Sequence, residues 1–321
     1  MTAHHDKKPL LVVAGPTGVG KTKLSLTLAD ALNAEIISAD SMQVYRQMDI
    51  GTAKIRTEEM KGIPHHLIDV LAPDEECNVV TYCELVKPII ADIHHRGKVP
   101  LLAGGTGFYI QAVARNLSFA PSATGEQMRL KAEQEAAQFG YSYMYDQLSR
   151  IDPEAAAAIH PNNHKRVLRA LSFYYETHTL FSLHNKDQKA QESPYNLLYT
   201  VLTDERERLY RRIDERVEQM LADGLVEEVK ALLQKGYAHS LSSMQGLGYK
   251  EIIGFLDGAY DLEEAIRILK RDTRHFAKRQ ITWFKREEEA VWFSKADYQP
   301  PLTEQNLAED IIALCRKRKL I

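Results

Sequence analysis

Residues 15–22 read Gly15-Pro16-Thr17-Gly18-Val19-Gly20-Lys21-Thr22, which satisfies the phosphate-loop pattern G-x-x-x-x-G-K-[ST]. The flanking residues restrict the fold as much as the motif does. Leu10-Leu11-Val12-Val13-Ala14 is a short apolar run suited to a strand buried on both faces. Lys23 to Asn33 then carries Leu24, Leu28, Ala31 and Leu32 at helical spacing. Strand, glycine loop and helix in that order gather successive backbone N–H groups into an anion nest at the positive end of a helix. Lys21 would neutralise outer phosphate oxygens, and the Thr22 hydroxyl would ligate Mg²⁺. The chain is therefore expected to bind a polyphosphate or a diphosphate.

At 321 residues, 44% hydrophobic and 26% charged, the chain has enough material for one large soluble domain or about two. Its net charge of −3 excludes a polycation, so any nucleic-acid binding must come from local basic patches. Three scattered cysteines (Cys77, Cys83, Cys315) are too few for a disulfide framework or a four-ligand zinc site. The twelve histidines lack metal-binding spacing, so no protein-bound zinc is expected. After Met1–Pro9 the apolar run lasts five residues and enters the glycine loop, unlike a signal peptide or a membrane span. A cytoplasmic location and a monomer are expected.

The first third alternates apolar runs with helical patterns, the mark of a parallel α/β sheet. Strands are predicted at Leu10–Ala14, Glu35–Ser38, His66–Val70 and Val99–Ala103, and a returning one at Asn196–Leu202. Pro121-Ser122-Ala123-Thr124-Gly125 resembles a linker. Beyond it, helices are predicted at Glu126–Phe139, Pro153–Ile159 and His164–His178, then a polar loop from His184 to Pro194. A long helical pattern runs from Asp204 to Lys235, with Gly236 as its C′ cap, and the remainder reads as mostly helical. The expected fold is α/β: a P-loop NTPase-like core whose parallel sheet is flanked by helices, with a small all-helical insertion. The core would comprise residues 1–116 and 196–321, the insertion 117–195.

In a parallel sheet every strand delivers its carboxyl end to one edge, where ligands bind. The first strand ends in the phosphate loop, the second at Ala39-Asp40-Ser41, and Val99–Ala103 at Gly104-Gly105-Thr106-Gly107. Asp40, Thr106 and the bound phosphates should face one cleft. Asp40 has three readings: a magnesium ligand at one remove, a general base, or a turn aspartate. The run Ser41-Met42-Gln43-Val44-Tyr45-Arg46 supplies the donors and acceptors that suit a base or sugar better than a lone metal. An ATPase or GTPase of this type has an aspartate ending an apolar strand to hold magnesium. Leu101-Leu102-Ala103 ends in glycines, and no aspartate is evident for that role.

Gly15–Thr22, Ile37–Arg46, Met48–Lys54, His65–Asp69, Gly104–Tyr109, Leu209–Met220, Gly246–Tyr249 and Lys278–Trp283 together resemble the tRNA dimethylallyltransferases over nearly the whole chain. The likeness is weakest in the insertion. It implies transfer of a dimethylallyl group from dimethylallyl diphosphate to N6 of adenosine-37 beside the anticodon of tRNA, with diphosphate released. By resemblance, Asp40 is the general base, Thr106 contacts substrate at the reacting centre, and Arg212 grips the diphosphate, with Arg216 one turn on as its helper. The phosphate loop and a Thr22-bound Mg²⁺ would hold the diphosphate. Met42 and Gln43 would receive the target base, with Ser41 beside them in the implied tRNA-binding set. Arg129 and Asn163-His164-Lys165-Arg166-Val167 fall where the insertion touches tRNA, although His164-Lys165 stands where the family has Pro-Gln. Gly246, Gly248, Lys278, Arg279, Gln280 and Trp283 complete the implied RNA-binding set. The absence of a C-terminal Cys/His module implies the bacterial type.

Between residues 266 and 286, Ile266, Leu269, Thr273, Phe276, Gln280 and Trp283 form one helix stripe. Lys270, Arg271, Arg274, Lys278, Arg279, Lys285 and Arg286 fill the rest. Such a face is either merely solvated or follows an RNA backbone; with the resemblance, tRNA contact is expected. The competing readings are a small-molecule kinase, an adenylate prenyltransferase and an RNA-binding switch without chemistry.

Overall fold

A computed structural model of the chain describes residues 7–117, 119, 125–298 and 303–321; the expected linker residues 121–124 lie outside these. The chain forms two compact units, one of Met1–Asn116 with Ser193–Ile321 and the other of Leu117–Glu192.

The larger unit begins with β1 (Pro9–Ala14), α1 (Lys21–Leu32), β2 (Ala34–Ala39), the two-residue β3 (His65–His66), α2 (Val79–His95), β4 (Val99–Gly104) and α3 (Gly107–Ala114). In the smaller unit are α4 (Gly125–Phe139), α5 (Tyr141–Ile151), α6 (Pro153–Ala158), α7 (His164–Thr177) and α8 (Phe181–Ala190). The larger unit resumes with β5 (Asn196–Thr203), α9 (Arg206–Ala222), α10 (Leu225–Gln234), α11 (Tyr249–Leu256), α12 (Leu262–Phe284), β6 (Val291–Ser294) and α13 (Thr303–Lys317).

The six strands form one parallel sheet in the order β3-β2-β4-β1-β5-β6. Leu10 to Ala14 are fully buried because neighbours hydrogen-bond both edges of β1 and helices cover both faces. Leu11, Val13, Leu24, Leu28, Leu101, Leu198 and Leu202 share a core with Leu307 and Ile311 of α13. A second core joins Val44, Tyr45 and Met48 to Val217, Val229, Tyr249 and Leu269. It fixes the segment after β2 against α9 to α12.

Three expectations for this unit are corrected. The strand predicted at His66–Val70 stops after His66, because Leu67 (φ 61°) and Asp69 (φ 58°) take left-handed conformations that leave the ladder. Strand β6 was not expected: four residues are too few for an alternation to be legible. The helical pattern from Asp204 to Lys235 divides at Gly224 (φ 101°), whereas Gly236 (φ 89°) follows α10 as expected.

In the smaller unit Ala132, Met144, Leu148, Val167, Leu171 and Phe181 pack together. The polar stretch from His184 is helical as far as Ala190. Asp152 explains part of this: it caps α6 through Ala155 N (3.0 Å) and also accepts from Ser182 N (2.8 Å), anchoring the start of α8.

Candidate active site

The phosphate loop occupies the carboxyl edge of β1. Gly18 (φ 77°) and Gly20 (φ 96°) are left-handed, and a Cβ on Gly15 would stand 2.7 Å from the Leu202 carbonyl oxygen. Lys21 Nζ lies across the loop and donates to the carbonyls of Gly15 (3.0 Å) and Pro16 (2.9 Å). Burial brings its pKa down to about 8; the Asp40 charge opposes that fall and Arg216 reinforces it. Lys21, Asp40 and Arg216 therefore form one electrostatically coupled group. The Thr22 hydroxyl is exposed at the first turn of α1.

The ends of β2 and β4 meet closely. A Cβ on Gly104 would stand 2.1 Å from the Ala39 carbonyl oxygen, so only glycine lets β4 pass there. Thr106 N donates to Ala39 O (3.1 Å), and Thr106 Oγ1 accepts from Ser41 N (3.1 Å). Asp40 and Thr106 are thus brought to one cleft. Asp40 Oδ1 accepts from Met42 N (2.9 Å) and Gln43 N (3.4 Å), the aspartate turn foreseen as one of three readings. That turn uses one carboxylate oxygen; Oδ2 makes no hydrogen bond among the described residues. Gln43 accepts from Ser38 Oγ (3.1 Å) and donates to Thr52 O (3.3 Å).

Arg212 and Arg216, both on α9, differ in their surroundings. Arg216 faces Asp40 and Lys21 and donates to Thr52 O (3.4 Å); burial lowers its pKa and Asp40 partly restores it. Arg212 points to the outer side of the loop, near Val19 O (3.5 Å), and pairs with buried Asp204 just beyond β5. Asp204 is the strand-end carboxylate that the sequence did not reveal. Its strand follows the insertion, and Arg212 already occupies it.

Gln280 was expected to face RNA, yet it is only 7% exposed. Its Oε1 accepts from Thr17 N (2.9 Å) and its Nε2 donates to Gly105 O (2.9 Å), tying the phosphate loop to the turn after β4. A Cβ on Gly105 would stand 2.3 Å from that amide nitrogen, and one on Gly107 2.2 Å from the Trp283 ring. Gln280 and Trp283 thus wedge α12 beneath the glycine turn. Lys278, Arg279, Trp283 and Arg286, with His275 and Thr282, line an open basin of about 450 Å³ on α12.

Lys270, Arg271 and Arg274 pair with Glu218, Asp272 and Asp214, whereas Lys278, Arg279, Lys285 and Arg286 make no ion pair among the described residues. The unpaired positive surface therefore lies at the C-terminal end of α12. Gly246 packs against the Met42 thioether, where a Cβ would come within 2.3 Å, and Gly248 (φ 94°) starts α11 with its N–H on Glu251 (2.8 Å). Both glycines do backbone work beside the cleft.

In the smaller unit Asn163 caps α7 through Arg166 N (3.3 Å), and His164 stacks on Tyr141 with ring centroids 3.8 Å apart. Lys165 and Arg166 are exposed, as is Arg129, which lies 4.0 Å from Glu133. Val167 is buried in this unit's core, so its side chain is unavailable to RNA.

A phosphate loop after β1, in a parallel sheet whose adjoining strand ends carry Asp40, Gly105 and Thr106, defines a P-loop α/β protein with one acid-and-cation cleft. The sequence model described as "IPP transferase" matches residues 43–287, and the chain belongs to that family. The tRNA dimethylallyltransferase of Lachnoclostridium phytofermentans is 50% identical over 314 residues, 98% of this chain and 99% of that protein. That of Bacillus licheniformis is 48% identical over 95% of this chain and 96% of its own length. The full-length tRNA isopentenylpyrophosphate transferase of Bacillus halodurans superposes with a TM-score of 0.74 at 44% identity, covering 98% of each chain. A eukaryotic dimethylallyltransferase solved acting on tRNA superposes with a TM-score of 0.76 at 31% identity, covering 89% of this chain and 74% of its own.

Proposed function

We propose that this chain transfers the dimethylallyl group of dimethylallyl diphosphate to N6 of adenosine-37, beside the anticodon of tRNA. The observation that carries this reading is the grouping of Asp40, Lys21 and Arg216 at the phosphate loop, with one Asp40 oxygen left for a substrate proton. An exocyclic adenine amine is a weak nucleophile because its lone pair is delocalised into the ring. In the reaction N6 forms a bond to the allylic carbon, the carbon–oxygen bond to diphosphate breaks, and the N6 proton passes to Asp40 Oδ2. The leaving diphosphate keeps the electron pair of the broken bond.

The backbone N–H groups of residues 15–22, with Lys21 and Arg216, oppose that charge where it develops. Arg212 guards the outer side of the same loop. Thr106 and Ser41 hold the Asp40 turn in place, while Met42 and Gln43 border the base. A target adenine must leave the anticodon stack to reach this cleft.

Mg²⁺ fits the exposed Thr22 hydroxyl beside an anion nest, because it prefers hard oxygen ligands completed by substrate phosphates and water. When bound it supplies further charge neutralisation on the diphosphate. No group of three or more His, Cys, Asp or Glu side chains that could hold a metal ion occurs among the described residues. Lys278, Arg279 and Arg286 of the larger unit would contact the RNA backbone, as would Arg129, Lys165 and Arg166 of the smaller one. No helix among the described residues is long and apolar enough to cross a membrane.

Asp40→Asn separates base from turn, since asparagine keeps an oxygen for Met42 N. Turnover on unmodified tRNA should fall by about 10²–10⁴-fold, with diphosphate affinity and thermal stability near wild type. Wild-type turnover in that variant would remove Asp40 as the base. Label from dimethylallyl diphosphate entering AMP but not tRNA would overturn the tRNA reading.

A further inference from the structure

The loop that follows Met48 is held from a distance by one carboxylate. Glu228, on the first turn of α10, accepts from Asp49 N (2.9 Å) and Ile50 N (2.7 Å) on Oε2. On Oε1 it accepts from Gly51 N (3.0 Å) and Tyr249 OH (2.7 Å). A carboxylate offers about four acceptor sites, so these donors use its capacity. The Tyr249 ring closes the arrangement: a Cβ on Gly51 would stand 2.6 Å from it. The next residue, Thr52, is buried, and its hydroxyl returns to Met48 O (2.7 Å). The Thr52 carbonyl then accepts from both Gln43 Nε2 (3.3 Å) and Arg216 Nη2 (3.4 Å).

We infer that Glu228 is a positioning residue for the transfer: by fixing residues 49–51 it sets the Thr52 carbonyl that aims Arg216 and Gln43 at the Asp40 cleft. The inference rests on the reading of that cleft as the transfer site. Glu228 itself touches no reacting group. Its three backbone donors are successive, so they fix the direction of the loop as well as its place. Arg216 is a long, buried side chain that feels the charges of Asp40 and Lys21, and a carbonyl at its Nη2 restricts where the guanidinium can sit. Without the clamp the Thr52 carbonyl is free to drift. Displacements of about an ångström at a reacting centre can cost on the order of a hundredfold in rate.

The test is a double-mutant cycle on the full chain with Glu228→Gln, Arg216→Lys and both together. The readouts are kcat/KM for dimethylallyl transfer to unmodified tRNA, and thermal unfolding of each variant. The amide cannot accept from all four donors, so Glu228→Gln should lose about tenfold or more in kcat/KM. In the Arg216→Lys background the same change should cost about twofold or less, because the residue it acts through is already altered. A purely structural role would give equal fold-losses in both backgrounds, and that result overturns the proposal, as does wild-type kcat/KM in Glu228→Gln.

Should Glu228→Gln fail to fold, Tyr249→Phe removes one donor to the same carboxylate and enters the same cycle with the same expectation. Reading the cycle also on diphosphate affinity separates the two levels of inference. If wild type transfers nothing to tRNA but the affinities remain coupled, the transferase reading fails and the clamp stands. If wild type transfers normally and neither readout is coupled, the clamp fails alone.

Discussion

Replacing Gln280 distinguishes an internal brace from an RNA contact. Gln280→Ala leaves Thr17 N–H and Gly105 C=O without their partners. An orphaned buried polar group costs about 1–3 kcal/mol. Thr17 is half-buried and water can reach it, whereas Gly105 is sealed, so a loss of about 2–4 kcal/mol is expected once lost packing is included. Gln280→Glu adds a sign. Its carboxylate can still accept from Thr17 N, but the other oxygen would face the Gly105 carbonyl, so the proton-bound form is the better fit. The folded-state pKa of the introduced carboxyl should thus lie above the ordinary value of about 4.3.

A carboxyl with a raised folded pKa binds more protons folded than unfolded in the window between the two values. The variant's deficit should therefore be complete above the folded pKa and shrink as pH falls through it. Both tryptophans, Trp283 and Trp292, lie in the larger unit, so their fluorescence during urea unfolding at pH 5 and pH 8 reports this unit. Diphosphate affinity should fall in both variants because the loop loses its tie. Unchanged urea midpoints and diphosphate affinity, with only tRNA binding weakened, would refute the brace and restore Gln280 as an RNA contact.

Two other outcomes follow from charges placed by the fold. With Lys21 at about pKa 8, wild-type diphosphate affinity should decline as pH rises through that value; Lys21→Arg keeps its charge and should show a flatter profile by calorimetry between pH 7 and 9.5. An equally steep decline in the variant would place the titration elsewhere. At the opposite edge of the sheet, buried Glu35 accepts from Arg96, Lys98 (2.8 Å) and the His66 ring (2.8 Å), and Arg96 foremost holds its carboxyl far below the ordinary range. Its stabilisation is present above about pH 4.5 and lost as pH falls through the folded value. Glu35→Gln should cost about 2–4 kcal/mol near neutral pH, the cations being partly exposed, and should shallow the acid limb of stability; an unchanged limb would contradict the assignment.

What the sequence by itself determined is what short-range pattern can encode. The anion nest depends on glycines spaced within eight residues, β1 and β4 on continuous apolar runs, and β2 on the short Ile36-Ile37 core. The meeting of Asp40 with Thr106 follows from one topological rule about parallel strands. The family motifs added the chemistry proposed for those residues.

The tertiary structure decided which polar groups meet across long stretches of chain. Thr17 and Gln280 are 263 residues apart, Gly51 and Glu228 177, and Thr52 and Arg216 164. On sequence evidence Gln280 belongs to a mostly apolar helix stripe among residues expected to meet RNA, Glu228 to an ordinary helix face, and Arg212 ranks ahead of Arg216. The reason is physical: backbone N–H and C=O groups carry no side-chain letter. A carboxylate that serves three of them, or an amide that serves two, looks in one dimension like any surface residue. The same blindness hid β6, whose strand character comes from pairing with β5, and ended β3 early, where two left-handed residues are set by their surroundings.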